Sequence, residues 1–215
     1  MIKAVIFDMD GVIIDSEPFW ENAEIEIFNK YGIPMTQEMC QDMKGRKIDE
    51  VVQHWHEIYP LKNVTTQYIV DEIIAKMHEL IQKNGEHMTG LIEVLGFLMQ
   101  NGYLIALASS SKMELIDTVV DKLKIRDYFK VIHSAEYEPA GKPEPYVYQT
   151  TAKKLNIHPE KCMAIEDSYL GLQSAIKAGM QTVAIPEPAL FDDPKFNIAD
   201  YKIMHLSEII IGEIL

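Results

Sequence analysis

Residues 3–7 (KAVIF) form a continuous apolar, β-rich run, the pattern of a strand buried on both faces. The run stops at Asp8-Met9-Asp10-Gly11. From residue 16 to about residue 84 the period changes. Apolar residues recur at helical spacing there: Trp20, Ala23, Ile27 and Phe28; then Ile48, Val51, Val52 and Trp55; then Tyr68, Ile69, Ile73, Met77 and Leu80. Gly32-Ile33-Pro34 and Tyr59-Pro60 punctuate this stretch, and no strand is predicted within it. After Asn84-Gly85 the pattern alternates. It predicts helices over 91–100, 113–123, 144–155 and 170–178, with strands over 103–108, 131–134, 162–165 and 181–185. Gly102 and Gly179 stand where helices should close. Such alternation predicts an α/β fold with a doubly wound, mostly parallel sheet. Residues 1–15 and 85–215 would form the core, and 16–84 an inserted small α-helical cap domain.

A length of 215 residues suits a core domain with a smaller insert. The net charge of −13 argues against nucleic acid or an anionic membrane as partner. A phosphate can still bind such a protein where a metal and a lysine reverse the field locally. No apolar run approaches the roughly 20 residues of a membrane span. The N-terminus lacks a signal-peptide layout. Cys40 and Cys162 read as two reduced thiols. The expectation is a cytoplasmic monomer acting on a small-molecule phosphate ester.

In a doubly wound sheet, ligands sit at the carboxyl ends of the strands. The polar residues at those ends are Asp8 and Asp10 after the first strand, Ser109 after the second, Lys142 after the third, and Glu166 and Asp167 after the fourth. Asp8 and Asp167 offer the hard oxygen ligands that Mg²⁺ takes. The metal and Lys142 would screen an anionic ester from the Asp8 carboxylate, which could then act as nucleophile. Asp10 is placed to protonate the leaving oxygen and later to take a proton from water. Each residue also has a plainer reading. Ser109 could be a helix N-cap, Lys142 a solvated loop residue, and Glu166-Asp167-Ser168 a helix cap. Asp-x-Asp-Gly could open a calcium loop, but Val12 and Ile13 stand where further ligands belong. The histidines show no metal pattern, and the methionines read as core filler. A phospho-accepting receiver module uses similar groups, but it carries no helical insert.

The stretches at residues 8–15 (DMDGVIID), 107–110 (LASS), 141–145 (GKPEP), 165–171 (IEDSYLG) and 175–180 (AIKAGM) together resemble the haloacid dehalogenase-like hydrolase superfamily, in its β-phosphoglucomutase-like group. The resemblance covers the whole chain and implies a Rossmann-like core with a mobile helical cap. It implies that Asp8 is the nucleophile and Asp10 the acid/base, with Ser109 and Lys142 holding the phosphoryl group. It implies that Asp8, Asp167 and the Asp10 carbonyl ligate Mg²⁺, supported by Glu166. Residues 15–20 (DSEPFW), 45–49 (GRKID), 185–188 (IPEP) and 193–196 (DPKF) are similar to the sugar and sugar-alcohol phosphatases, which act on hexitol phosphates and 2-deoxyglucose 6-phosphate. The alternative is a β-phosphoglucomutase. That branch carries His and Arg where Trp20 and Ile48 stand here. Trp20, Lys47, Ser110 and Lys112 are the candidates for contact with the leaving group.

Overall fold

The computed structural model describes residues 1–211 and 214. The chain begins with β1 (Ala4–Phe7), then runs through four helices, α1 (Glu17–Lys30), α2 (Gln37–Asp42), α3 (Ile48–Ile58) and α4 (Thr66–Asn84). Alternation follows: α5 (Leu91–Gln100), β2 (Leu104–Ser109), α6 (Met113–Lys122), β3 (Val131–Ser134), α7 (Tyr146–Leu155), β4 (Cys162–Glu166), α8 (Tyr169–Lys177) and β5 (Gln181–Ala184). A two-residue β6 (Tyr201–Lys202) and a short α9 (Glu208–Ile211) end it. Every predicted strand and helix is present, with ends shifted by at most two residues. α2, β6 and α9 were not expected, because six, two and four residues are too short to show a period.

All strands pair in parallel, in the order β3-β2-β1-β4-β5-β6. Strand order therefore reverses at β1, which makes its carboxyl end the crevice where a doubly wound sheet binds ligand. Register carries this further. Phe7 pairs with both Leu107 and Ile165, so Asp8, Ser109 and Glu166 reach the same rim.

The two faces of the sheet differ in bulk. Val5, Phe7, Ile105, Leu107, Met163 and Ile165 face α5 and α6. The alternate residues Ala4, Ile6, Ala106, Ala108, Cys162 and Ala164 face α7 and α8. These are mostly alanines, and small side chains let a helix approach the sheet closely. This brings the wholly buried Tyr148 of α7 up to Glu166.

The insert joins the core through two adjacent crossings. Ile14 bridges His87, and the Met88 amide donates to the Ile13 carbonyl at 2.9 Å. Within the insert, α1 packs on α2 and α4, and α4 also lies along α6 of the core.

Candidate active site

Asp8 ends β1 and is 6% exposed. Lys142 comes from the loop before α7, with only 1% of its residue surface exposed. Its ammonium lies 2.5 Å from Asp8 Oδ1 and 2.5 Å from Glu166 Oε1. Glu166 Oε1 also accepts from the Tyr148 hydroxyl at 2.5 Å, and Oε2 accepts from Ser168 Oγ at 3.1 Å. Glu166 is thus filled with donors, and it holds Lys142 against Asp8. Burial opposes the Lys142 charge, but Asp8 and Glu166 outweigh it and keep the ammonium above its ordinary pKa. Burial pushes the Asp8 carboxyl well above the usual range; the Glu166 charge adds to this and Lys142 opposes it. Burial also raises Asp167, to about 6, against the charge of Lys44.

Oxygens of Asp8, Glu166 and Asp167 lie within 4.8 Å of one another. Asp167 Oδ2 is buried. Lys44 Nζ lies 2.8 Å from it and pairs with its charge. Gly11 makes room for this carboxylate: a Cβ there would stand 2.1 Å from Asp167 Oδ2, and φ at Gly11 is +72°. Clustered buried carboxylates with raised pKa values, and the room that Gly11 leaves for one of them, fit a divalent cation. The oxygens free to ligate belong to Asp8 and Asp167, while Glu166 stands behind them.

Asp10 is clamped. Its Oδ1 accepts from Ser16 Oγ at 2.6 Å and Trp20 Nε1 at 2.9 Å, and its Oδ2 from Ser111 Oγ at 2.8 Å. Ser16 and Trp20 belong to the insert, Ser111 to the core. Trp20, a candidate for sugar contact, therefore has a second attachment that its place in an amphipathic pattern did not show. Ser109 is buried at the end of β2, where its Oγ accepts the Ser111 amide at 3.0 Å. It is not a helix N-cap: α6 is preceded by Lys112, which makes no capping bond. Ser168, in contrast, does cap α8.

A small cavity of about 60 Å³ joins these groups. Asp8, Asp10, Ser110, Ser111, Lys142 and Asp167 line its core side, and Trp20, Glu24, Cys40, Lys44 and Arg46 are on its insert side. Ser110 Oγ donates to the Gly45 carbonyl at 2.8 Å, joining the two sides. Lys47 and Lys112 are not in this wall. Lys47 Nζ reaches the Ala135 carbonyl at 3.5 Å, and Lys112 pairs with Asp49 at 3.5 Å. Both sit in the seam between insert and core. Sequence reasoning missed Ser16, Ser111, Lys44 and Tyr148. None ends a strand, although Ser111 follows Ser109 and Ser110 in the loop after β2.

The haloacid dehalogenase-like hydrolase family model matches residues 5–185. Hexitol phosphatase B of Escherichia coli is 34% identical over 215 residues, covering 100% of this chain and 97% of that protein. A phosphorylated carbohydrates phosphatase of Thermotoga maritima is 29% identical over 185 residues, 85% of this chain and 84% of that one. The crystal structure of β-phosphoglucomutase from Clostridium difficile superposes with a TM-score of 0.86 at 26% identity, covering 99% and 96% of the two chains. This chain belongs to the haloacid dehalogenase-like hydrolases. It is an enzyme, a phosphatase of that family.

Proposed function

We propose that the protein is a Mg²⁺-dependent phosphatase that hydrolyses a sugar or sugar-alcohol monophosphate, of the hexitol phosphate or 2-deoxyglucose 6-phosphate type, through an aspartyl-phosphate intermediate. The observation that carries this reading is the buried Asp8–Lys142–Glu166 chain beside the Asp167 carboxylate. Lys142 occupies Asp8 Oδ1 and leaves Oδ2 as the attacking oxygen. That oxygen bonds to phosphorus while the bond from phosphorus to the leaving oxygen breaks. Asp10 gives its proton to the leaving oxygen. It then takes a proton from water, which attacks the acyl phosphate and releases phosphate and the Asp8 carboxylate. Ser109 and the Lys142 ammonium hold the transferring oxygens. Asp8, Asp167 and the Asp10 carbonyl would hold Mg²⁺, which neutralises phosphate charge that one lysine cannot balance among these acids.

The insert over 16–84 acts as the cap. A cavity of about 60 Å³ has room for a few waters, at roughly 10–15 Å³ each. A six-carbon leaving group enters only when the cap swings away on its two crossings.

The mutase reading keeps one observation in its favour besides the structural likeness. Arg46 is an exposed cavity-wall cation that makes no ion pair among the described residues, and a second phosphate needs such a group. Ile48, where that branch carries its Arg, is buried. The test incubates the enzyme and Mg²⁺ with sorbitol 6-phosphate, and separately with β-glucose 1-phosphate and a trace of glucose 1,6-bisphosphate. Phosphate release from the first, abolished by EDTA and restored by Mg²⁺, is expected. Accumulation of glucose 6-phosphate in the second, with no phosphate from the first, would establish the mutase instead.

A further inference from the structure

Glu24 is an acid on the buried face of α1, flanked by Ala23, Ile27 and Phe28. It is 7% exposed and lines the active-site cavity. Its Oε2 is buried and has no hydrogen-bond partner among the described residues. The nearby Cys40 thiol favours ionisation of the carboxyl, and the nearby acid Glu21 opposes it. Burial raises its pKa to about 7.

Other acids on the same side of the cavity have partners. Glu21 accepts from Gln37 and Gln41 at 2.8 and 2.7 Å. Glu17 has Lys44 at 3.6 Å. The apolar part of the cavity wall on the insert side includes Cys40, Met43, Ile48 and Val51. A half-satisfied carboxyl in such a wall costs stability, of a size that a ligand hydroxyl would recover.

Position along the helix says which hydroxyl. Trp20 and Glu24 are four apart, on one face of α1 and one turn from each other. Trp20 Nε1 is on Asp10, the group that meets the leaving oxygen. Glu24 thus stands one turn further from the reacting bond, where the distal part of a leaving group would lie. We propose that Glu24 is the specificity residue of the cap: its carboxyl binds a hydroxyl of the leaving group several atoms away from the phosphate ester, selecting polyhydroxylated leaving groups. This rests on the phosphatase reading above and names the residue that gives it substrate preference.

The experiment compares kcat/KM for sorbitol 6-phosphate and p-nitrophenyl phosphate in wild type, Glu24→Leu and Glu24→Gln, each checked for folding by circular dichroism. Glu24→Leu is expected to lose about 30- to 100-fold on the polyol ester, chiefly in KM, and less than threefold on the aryl ester. Glu24→Gln, which still donates and accepts, is expected to stay within about threefold of wild type on both. An equal loss on both substrates, or no loss on either, in a folded Glu24→Leu protein whose wild type prefers the polyol ester overturns the role of Glu24 alone. A wild-type enzyme with no preference for polyol esters overturns the substrate reading, and this proposal with it.

Discussion

Glu24→Gln should remove a pH-dependent loss of stability. The folded protein holds the Glu24 proton up to about pH 7, whereas an exposed glutamate releases it near 4.5. Between those values the unfolded chain has released the proton and the native chain still carries it. Native stability is therefore full below about 4.5 and falls as pH rises, reaching its floor above about 7. At about 1.4 kcal/mol per pH unit, the loss is about 3 kcal/mol. Its physical source is burial of a carboxylate with an unpaired oxygen. Glutamine has nearly the same shape and no charge to lose. The other raised acids, Asp8, Glu17 and Asp167, impose the same trend on both proteins and cancel in the difference. The assay is urea and thermal denaturation with EDTA from pH 4 to 8. The stability gap, variant minus wild type, should rise by about 3 kcal/mol across that range. For a chain of this length that is roughly 6–12 °C in Tm. Parallel curves for the two proteins would refute the burial argument.

Asp8→Asn should leave the fold intact and lower turnover by more than about 10³-fold, since it removes the nucleophile and a metal ligand; single-turnover phosphate release within tenfold of wild type would reassign the nucleophile. Trp20→Phe keeps the ring and deletes one of three donors to Asp10. Single-turnover transfer from an alkyl phosphate should fall about tenfold, and from p-nitrophenyl phosphate, whose leaving group needs little acid help, much less. Equal losses would mean that Trp20 does not act through Asp10. A cleavable thiol cross-link between Asp49→Cys and Lys112→Cys spans the seam where these residues pair at 3.5 Å; it should cut turnover of sorbitol 6-phosphate more than tenfold until cleaved, and full activity in the linked protein would refute cap opening.

The strands were legible because sheet burial writes itself as short apolar runs, and their ends locate Asp8, Ser109, Glu166 and Asp167 without further information. The change of period after residue 16 marked the helical stretch that α1, α3 and α4 occupy. Side chains that act across the seam were not legible. Lys47 and Lys112 looked like pocket cations because both lie near site residues in sequence, yet their long stems carry the ammonium groups to Ala135 and Asp49. Lys44, one residue before Gly45, instead reaches Asp167 and Glu187. Only the packing of insert on core decides among three such lysines. Glu24 did leave a trace: an acid within the apolar stripe of Ala23, Ile27 and Phe28. A pattern read for its hydrophobic members passes over the one position that breaks it.

The insert couples to the chemistry through charge and proton position as well as through enclosure. Two of the three donors on Asp10, Ser16 and Trp20, belong to it, and so does the ammonium on Asp167. An open cap would take all of these away together, leaving the acid unaligned and the carboxylate cluster with Lys142 as its remaining close cation. In the proposed cycle, closure would restore alignment and one positive charge in a single motion. It also shrinks the cavity to a few waters' worth of space. Such a volume holds the water that attacks an acyl phosphate but not a six-carbon alcohol. The closed arrangement therefore matches the second half of the proposed reaction, after the alcohol has left. In the proposed reaction Ser16, Trp20 and Ser111 grip Asp10 both when it gives its proton to the leaving oxygen, with the cap standing further out around the alcohol, and when it takes a proton from water.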